Sequence, residues 1–197
     1  KVIKAGQSQP INVTLVKEEI KTKAVPYYGL LSDSITGYIK LVSFTENCSG
    51  FVKEALSDLK AKKCKNLILD LRGNLGGLLH EAVNIVNFFT DKGQEIVFTK
   101  GKTSDWNKPY FSVYSPIDTE TPLVVLVDEN SASASEIVSG ALQDLDRAVI
   151  IGKRTFGKGL VQQTKQLVYN AQIKVTVAKY YIPSGRCVQA LDYSNKD

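Results

Sequence analysis

Residues 129–136 read ENSASASE and present three alternating hydroxyls, Ser131, Ser133 and Ser135, where a strand-like run gives way to a helical pattern. A serine at a helix start is an ordinary cap, and Ser133 with Glu136 three residues later fits the reciprocal capping box. The same position suits a nucleophile, because free N–H groups and the positive helix end favour an alkoxide and an oxyanion. Helical periodicity alone does not choose among the three, although Ser131 projects nearest the apolar stripe.

A serine hydroxyl needs a base. The single histidine, His80, lies inside the helical pattern LLHEAVNIV among acidic and polar neighbours, the setting of a half-exposed helix residue. The alternative is a lysine, since Ser-Lys pairs also perform acyl transfer. Lys158 lies between Gly157 and Gly159 in GKRTFGKGLVQQ, after the apolar run AVIIG. An amine is protonated in neutral water, so it serves as base only where burial or a neighbouring cation strips its charge. Phe156, Leu160 and Val161 are the residues from which such an apolar pocket is expected.

The same segment also spells the front of a phosphate-binding loop, Gly152, four residues, then Gly157-Lys158. The next position, which should be Ser or Thr, is Gly159, and the residues after it look like a strand rather than a helix, so nucleotide binding is disfavoured. A third element, DLRGNLGG (70–77), is a glycine-rich turn that is either a plain strand-to-helix connection or a source of backbone N–H donors.

These residues need elements to position them. Apolar spacing predicts strands over 11–15, 37–44, 66–71, 95–100, 122–129, 147–152, 160–168 and 173–182, and helices over 49–63, 78–89 and the segment after ENSASASE. Strands and helices alternate through the middle, so the expected class is α/β with crossover connections. Of 197 residues 43% are hydrophobic, enough for one sizeable core, and no apolar run approaches the length of a membrane span. The formal charge of +5 is concentrated at Lys1, Lys4, Lys17, Lys21 and Lys23 and at Lys60, Lys62, Lys63 and Lys65. Neither cluster interleaves aromatics with its cations, which disfavours nucleic acid as a partner. Cys48, Cys64 and Cys187 are widely spaced and odd in number, forming neither a metal pair nor a disulfide framework.

Taken in order, DLRGNLGGLLHEAV, VDENSASASEIVSGALQD, GKRTFGKGLVQQ and YYIPSGR resemble the carboxyl-terminal processing peptidases, or tail-specific proteases, over about residues 24–190. That resemblance implies a crotonase/Clp protease-like α/β core and a serine endopeptidase acting near protein C-termini. It further implies Ser133 as nucleophile, Lys158 as general base and Gln162 as the residue orienting the lysine. The N–H of Ala134 with Gly76 or Gly77 corresponds to the oxyanion hole, and Asp144, Glu136 and Thr155 match supporting positions. No metal or cofactor is implied. The expected partner is a protein or peptide substrate bound in extended form, and the reading admits a homo-oligomer. Residues 1–22, which include PINVTLVKEEI, resemble the last strand of a PDZ-like domain, leaving 23–197 as the peptidase core. The resemblance implies action in the periplasm or cell envelope of a bacterium. The rival reading of the same fold is a catalytically silent peptide-binding module whose serines only cap their helix.

Overall fold

A computed structural model describes residues 1–17 and 23–190. Its centre is a five-stranded sheet in the order β1-β2-β3-β6-β7. The strands are β1 (Tyr27–Leu30), β2 (Thr36–Lys40), β3 (Asn66–Asp70), β6 (Leu123–Val127) and β7 (Ala148–Gly152). β1 pairs antiparallel with β2, whereas β2, β3, β6 and β7 run parallel. A second, antiparallel sheet has the order β5-β4-β9-β8, from β4 (Glu95–Gly101), β5 (Lys108–Phe111), β8 (Leu160–Gln166) and β9 (Gln172–Tyr181).

Three helices make the crossovers that parallel neighbours require. They are α1 (Cys48–Ala61), α2 (Leu79–Asn87) and α3 (Ala134–Asp144). α1 packs on β1 and β2 and α3 on β7, while α2 and α3 both touch β4 of the second sheet. Alternation in β3 and β6 turns Leu67, Leu69, Leu123, Val125 and Val127 into a core with Val52, Leu56 and Leu59 of α1, Ile85 and Val86 of α2, and Ile137, Val138 and Leu142 of α3. The outward face is less covered, with Val149 and Ile151 of the edge strand β7 exposed.

The expected α/β class is present, with differences at its margins. The strand expected over 11–15 reduces to one antiparallel bridge, Val2 to Ile11, and residues 1–17 are exposed throughout. Alternating apolar residues make a strand only when a sheet receives them, and none does here. The end of the PDZ-like segment, residues 18–22, lies outside the described residues, as do 191–197. Two strands had no sequence signal strong enough to stand out. β1 is four residues long, and β5 sits inside the polar, proline-containing stretch 101–121.

Candidate active site

Adjacent parallel strands bring their carboxyl ends to one edge of a sheet, and the loops that follow them meet there. Here β3 leads into the glycine turn, β6 into the serine segment and β7 into the lysine segment, and the three strands are neighbours. Residues far apart in sequence therefore converge because of strand order alone.

The three serines have different fates. Ser131 is fully buried, its hydroxyl donating to the Leu71 carbonyl at 2.9 Å while accepting the Asp128 N–H. Ser135 is fully buried and donates to the Asn74 carbonyl at 2.8 Å. Ser133 is half-buried, and among the described residues its hydroxyl donates to nothing. It occupies the N-cap of α3 with φ 57° and ψ −112°. Left-handed backbone of this kind costs a non-glycine residue about 1–3 kcal/mol and holds the side chain at a sharp turn.

Glu136 explains how that turn is maintained. Its carboxylate is buried, and Oε2 accepts the N–H of Ser133 at 2.8 Å and the N–H of Lys158 at 2.8 Å. Oε1 accepts the N–H of Gly157 at 2.6 Å. The capping box foreseen for Ser133 and Glu136 is thus present, and the same carboxylate ties the lysine loop to it. A further strap is the Phe156 N–H to the Ser131 carbonyl at 3.0 Å.

The lysine itself departs from expectation. Lys158 is exposed, Phe156 is 63% exposed and Leu160 and Val161 are only half-buried, so among the described residues no apolar pocket encloses the amine. The three apolar neighbours follow the loop and the β8 edge outward instead of folding over Lys158. Among the described residues the ammonium has no hydrogen-bond or ion-pair partner. Gln162 is exposed on β8 beside a register shift, and its side chain makes no hydrogen bond among the described residues. Thr155 lines a cleft of about 490 Å³ together with Glu136 and Gly157. Asp144, at the far end of α3, accepts the Ser184 N–H at 3.0 Å and pairs with Arg186 at 3.5 Å, fastening the IPSGR turn to the serine helix.

The glycine turn lies directly against the serine. Gly76 has φ +95°, and a Cβ there would stand 2.8 Å from the Ser133 Cβ and 2.9 Å from the Ala134 nitrogen. The Gly76 N–H is already donated to Asn74 Oδ1 at 2.9 Å, whereas that of Gly77 has no partner among the described residues. The Ala134 N–H, first in α3, likewise has none. Asn74 is the residue that sequence reading overlooked. It is fully buried and also accepts the Ala132 N–H at 3.0 Å, docking the turn onto the serine segment. Its only signal was a polar residue between glycines.

His80 plays no part at this edge. It is half-exposed on α2, with Nε2 3.4 Å from Glu81 and 3.9 Å from Glu46.

Comparison with known proteins follows the same motifs. Residues 35–193 match the model of peptidase family S41. The chain belongs to peptidase family S41. It is 40% identical over 190 residues to a carboxy-terminal-processing protease of Bartonella bacilliformis, covering 94% of this chain and 43% of that one. Against a carboxyl-terminal-processing protease of Synechocystis it is 38% identical, covering 96% and 44%. A solved structure of a photosystem II D1 C-terminal processing protease superposes with a TM-score of 0.72 at 38% identity, covering 78% of this chain and 39% of that one. The chain therefore spans less than half the length of these S41 relatives. Matches of similar strength include both bacterial and chloroplast proteins.

Proposed function

We propose that this chain carries the catalytic core of a serine endopeptidase that cuts proteins near their carboxyl termini. The observation that carries the reading is the shared Glu136 oxygen. One carboxylate fixes the backbone of Ser133, whose hydroxyl is the uncommitted one of the three alternating serines among the described residues, and the backbone of the candidate base. The names of the S41 relatives supply the substrate class.

In this reading uncharged Lys158 takes the proton of the Ser133 hydroxyl, and Oγ attacks the scissile carbonyl carbon. The developing oxyanion is held by the N–H groups of Ala134 and Gly77, Gly76 serving as the gap through which it approaches. Collapse expels the amine, which takes the proton from Lys158. Water, deprotonated by Lys158, then releases the acyl group and restores the serine. Two correctly placed donors matter because losing one costs about 2.7–4 kcal/mol of barrier. Lys158 is exposed, and in this reading the extended substrate covers its side chain and excludes water from the amine. The site of action in this reading is a bacterial periplasm or cell envelope.

The solvent exposure of Lys158 also favours a second reading, a silent peptide-binding module. One experiment separates them. The full-length protein, Ser133→Ala and Lys158→Ala are compared on an unfolded substrate with a free or an amidated tail. The peptidase reading expects turnover only by the unsubstituted protein and faster cutting of the free-tailed substrate. Equal turnover by all three removes the roles of both residues.

A further inference from the structure

A second group of side chains lies apart from the serine, at the N-terminal ends of α1 and α2. Glu46, His80 and Glu81 each offer one ligand atom there, and the three atoms lie within 4.8 Å of one another. His80 Nε2 is 3.4 Å from Glu81 Oε1 and 3.9 Å from Glu46 Oε2. A tetrahedral zinc ion with bonds of about 2.0–2.1 Å requires its ligand atoms about 3.3–3.4 Å apart. The first separation meets that edge as it stands, and the second does so after a small rotation of an exposed glutamate.

The chemistry of the set is selective. An imidazole nitrogen with two carboxylate oxygens suits zinc, whereas magnesium prefers oxygen alone in octahedral shells. Glu81 is the preorganised member. It is buried, Oε1 accepts the Asn47 N–H and Oε2 the Ser49 N–H, both at 2.7 Å, and such bonds orient a ligating carboxylate. Glu46 and His80 are exposed, so an ion has a path from solvent. Cys48 is near but excluded as a ligand. Its buried thiol spends its proton on Glu81 Oε2 at 3.6 Å.

We propose that Glu46, His80 and Glu81 form a zinc site with one position left for water. A bound ion joins the loop before α1 to the first turn of α2, the turn that directly follows Gly76 and Gly77. The Phe44–Gly77 bridge already ties these segments, so the ion adds a clamp beside the glycine turn without touching Ser133. The proposal does not rest on the peptidase reading, since its readout is binding and stability.

The test uses the full-length protein without a histidine tag, stripped with chelator and titrated calorimetrically with zinc chloride. One saturable site is expected, with a melting temperature that rises as zinc is added. His80→Ala and Glu46→Gln alter only exposed side chains, and each should weaken binding by roughly tenfold or more. Magnesium should give no saturable heat. Absence of a saturable zinc site, or zinc binding by both variants as tight as that of the unsubstituted protein, overturns the proposal.

Discussion

At the scale of single residues, Glu136 matters as much as the serine it holds. Its two oxygens accept three backbone N–H groups, from Ser133, Gly157 and Lys158. Hydrogen bonds to an ionised acceptor contribute about 1.5–3 kcal/mol each. Glu136→Gln keeps the shape but replaces one acceptor oxygen with an NH₂ that faces an N–H donor. The expected outcome is a loss of about 2–4 kcal/mol in urea unfolding, together with at least a tenfold fall in kcat. KM should change little, since both carboxylate oxygens are committed to backbone N–H groups. Unchanged unfolding and unchanged kcat would show that the carboxylate does not set the turn. The sequence offered Glu136 only as a cap partner. That one carboxylate reaches across to residues 157 and 158 depends on β7 lying beside β6, which no local pattern states.

At the scale of elements, the glycine turn and the serine helix behave as one unit. Gly76→Ala adds a methyl 2.5 Å from the Ala132 carbonyl oxygen and forces a side chain into φ +95°. Strain of this kind costs about 1–3 kcal/mol, and the methyl also closes on the Ala134 nitrogen. We expect native far-ultraviolet circular dichroism, a lowered melting temperature and turnover too slow to measure. Full activity in this variant would remove the turn from the site. The helices and the buried parallel strands were legible in the sequence because periodicity is a property of neighbouring residues. Strands β1 and β5 were not, since each is four residues long and gains its identity from a partner. The pocket expected around Lys158 failed for a related reason. Phe156, Leu160 and Val161 are apolar, but the direction in which a loop turns its side chains is decided by the segments it crosses. Here that segment is 187–190, where Ala190 bonds the Gly157 carbonyl and Gln189 the Gly159 N–H.

At the scale of the whole molecule, buried carboxylates set the response to acid. Burial pushes Asp70 upward, but hydrogen bonds from Arg72, Tyr38 and Lys40 outweigh it and hold Asp70 far below the ordinary carboxylate range. Asp118, bonded by Thr121 and Lys60, and Glu81, bonded by Ser49 and Asn47, are lowered against the same opposing burial. The folded state binds these protons more weakly than the unfolded chain. Its stabilisation is therefore complete above the ordinary value of about 4 and drains away as pH falls further. Urea midpoints should stay level from neutral pH down to about pH 5 and then drop steeply. Asp70→Asn should lower the neutral-pH midpoint and soften that drop. An acid profile identical to that of the unsubstituted protein would show that Asp70 carries none of it.

The hydrogen bond from the Lys158 backbone N–H to Glu136 has a consequence for control. In the proposed Ser-Lys mechanism, a main chain held at 158 by that bond leaves the approach of amine to hydroxyl to rotation along one flexible four-carbon stem. A trigger for such a machine needs no hinge. It has only to offer that stem a dry surface to lie against.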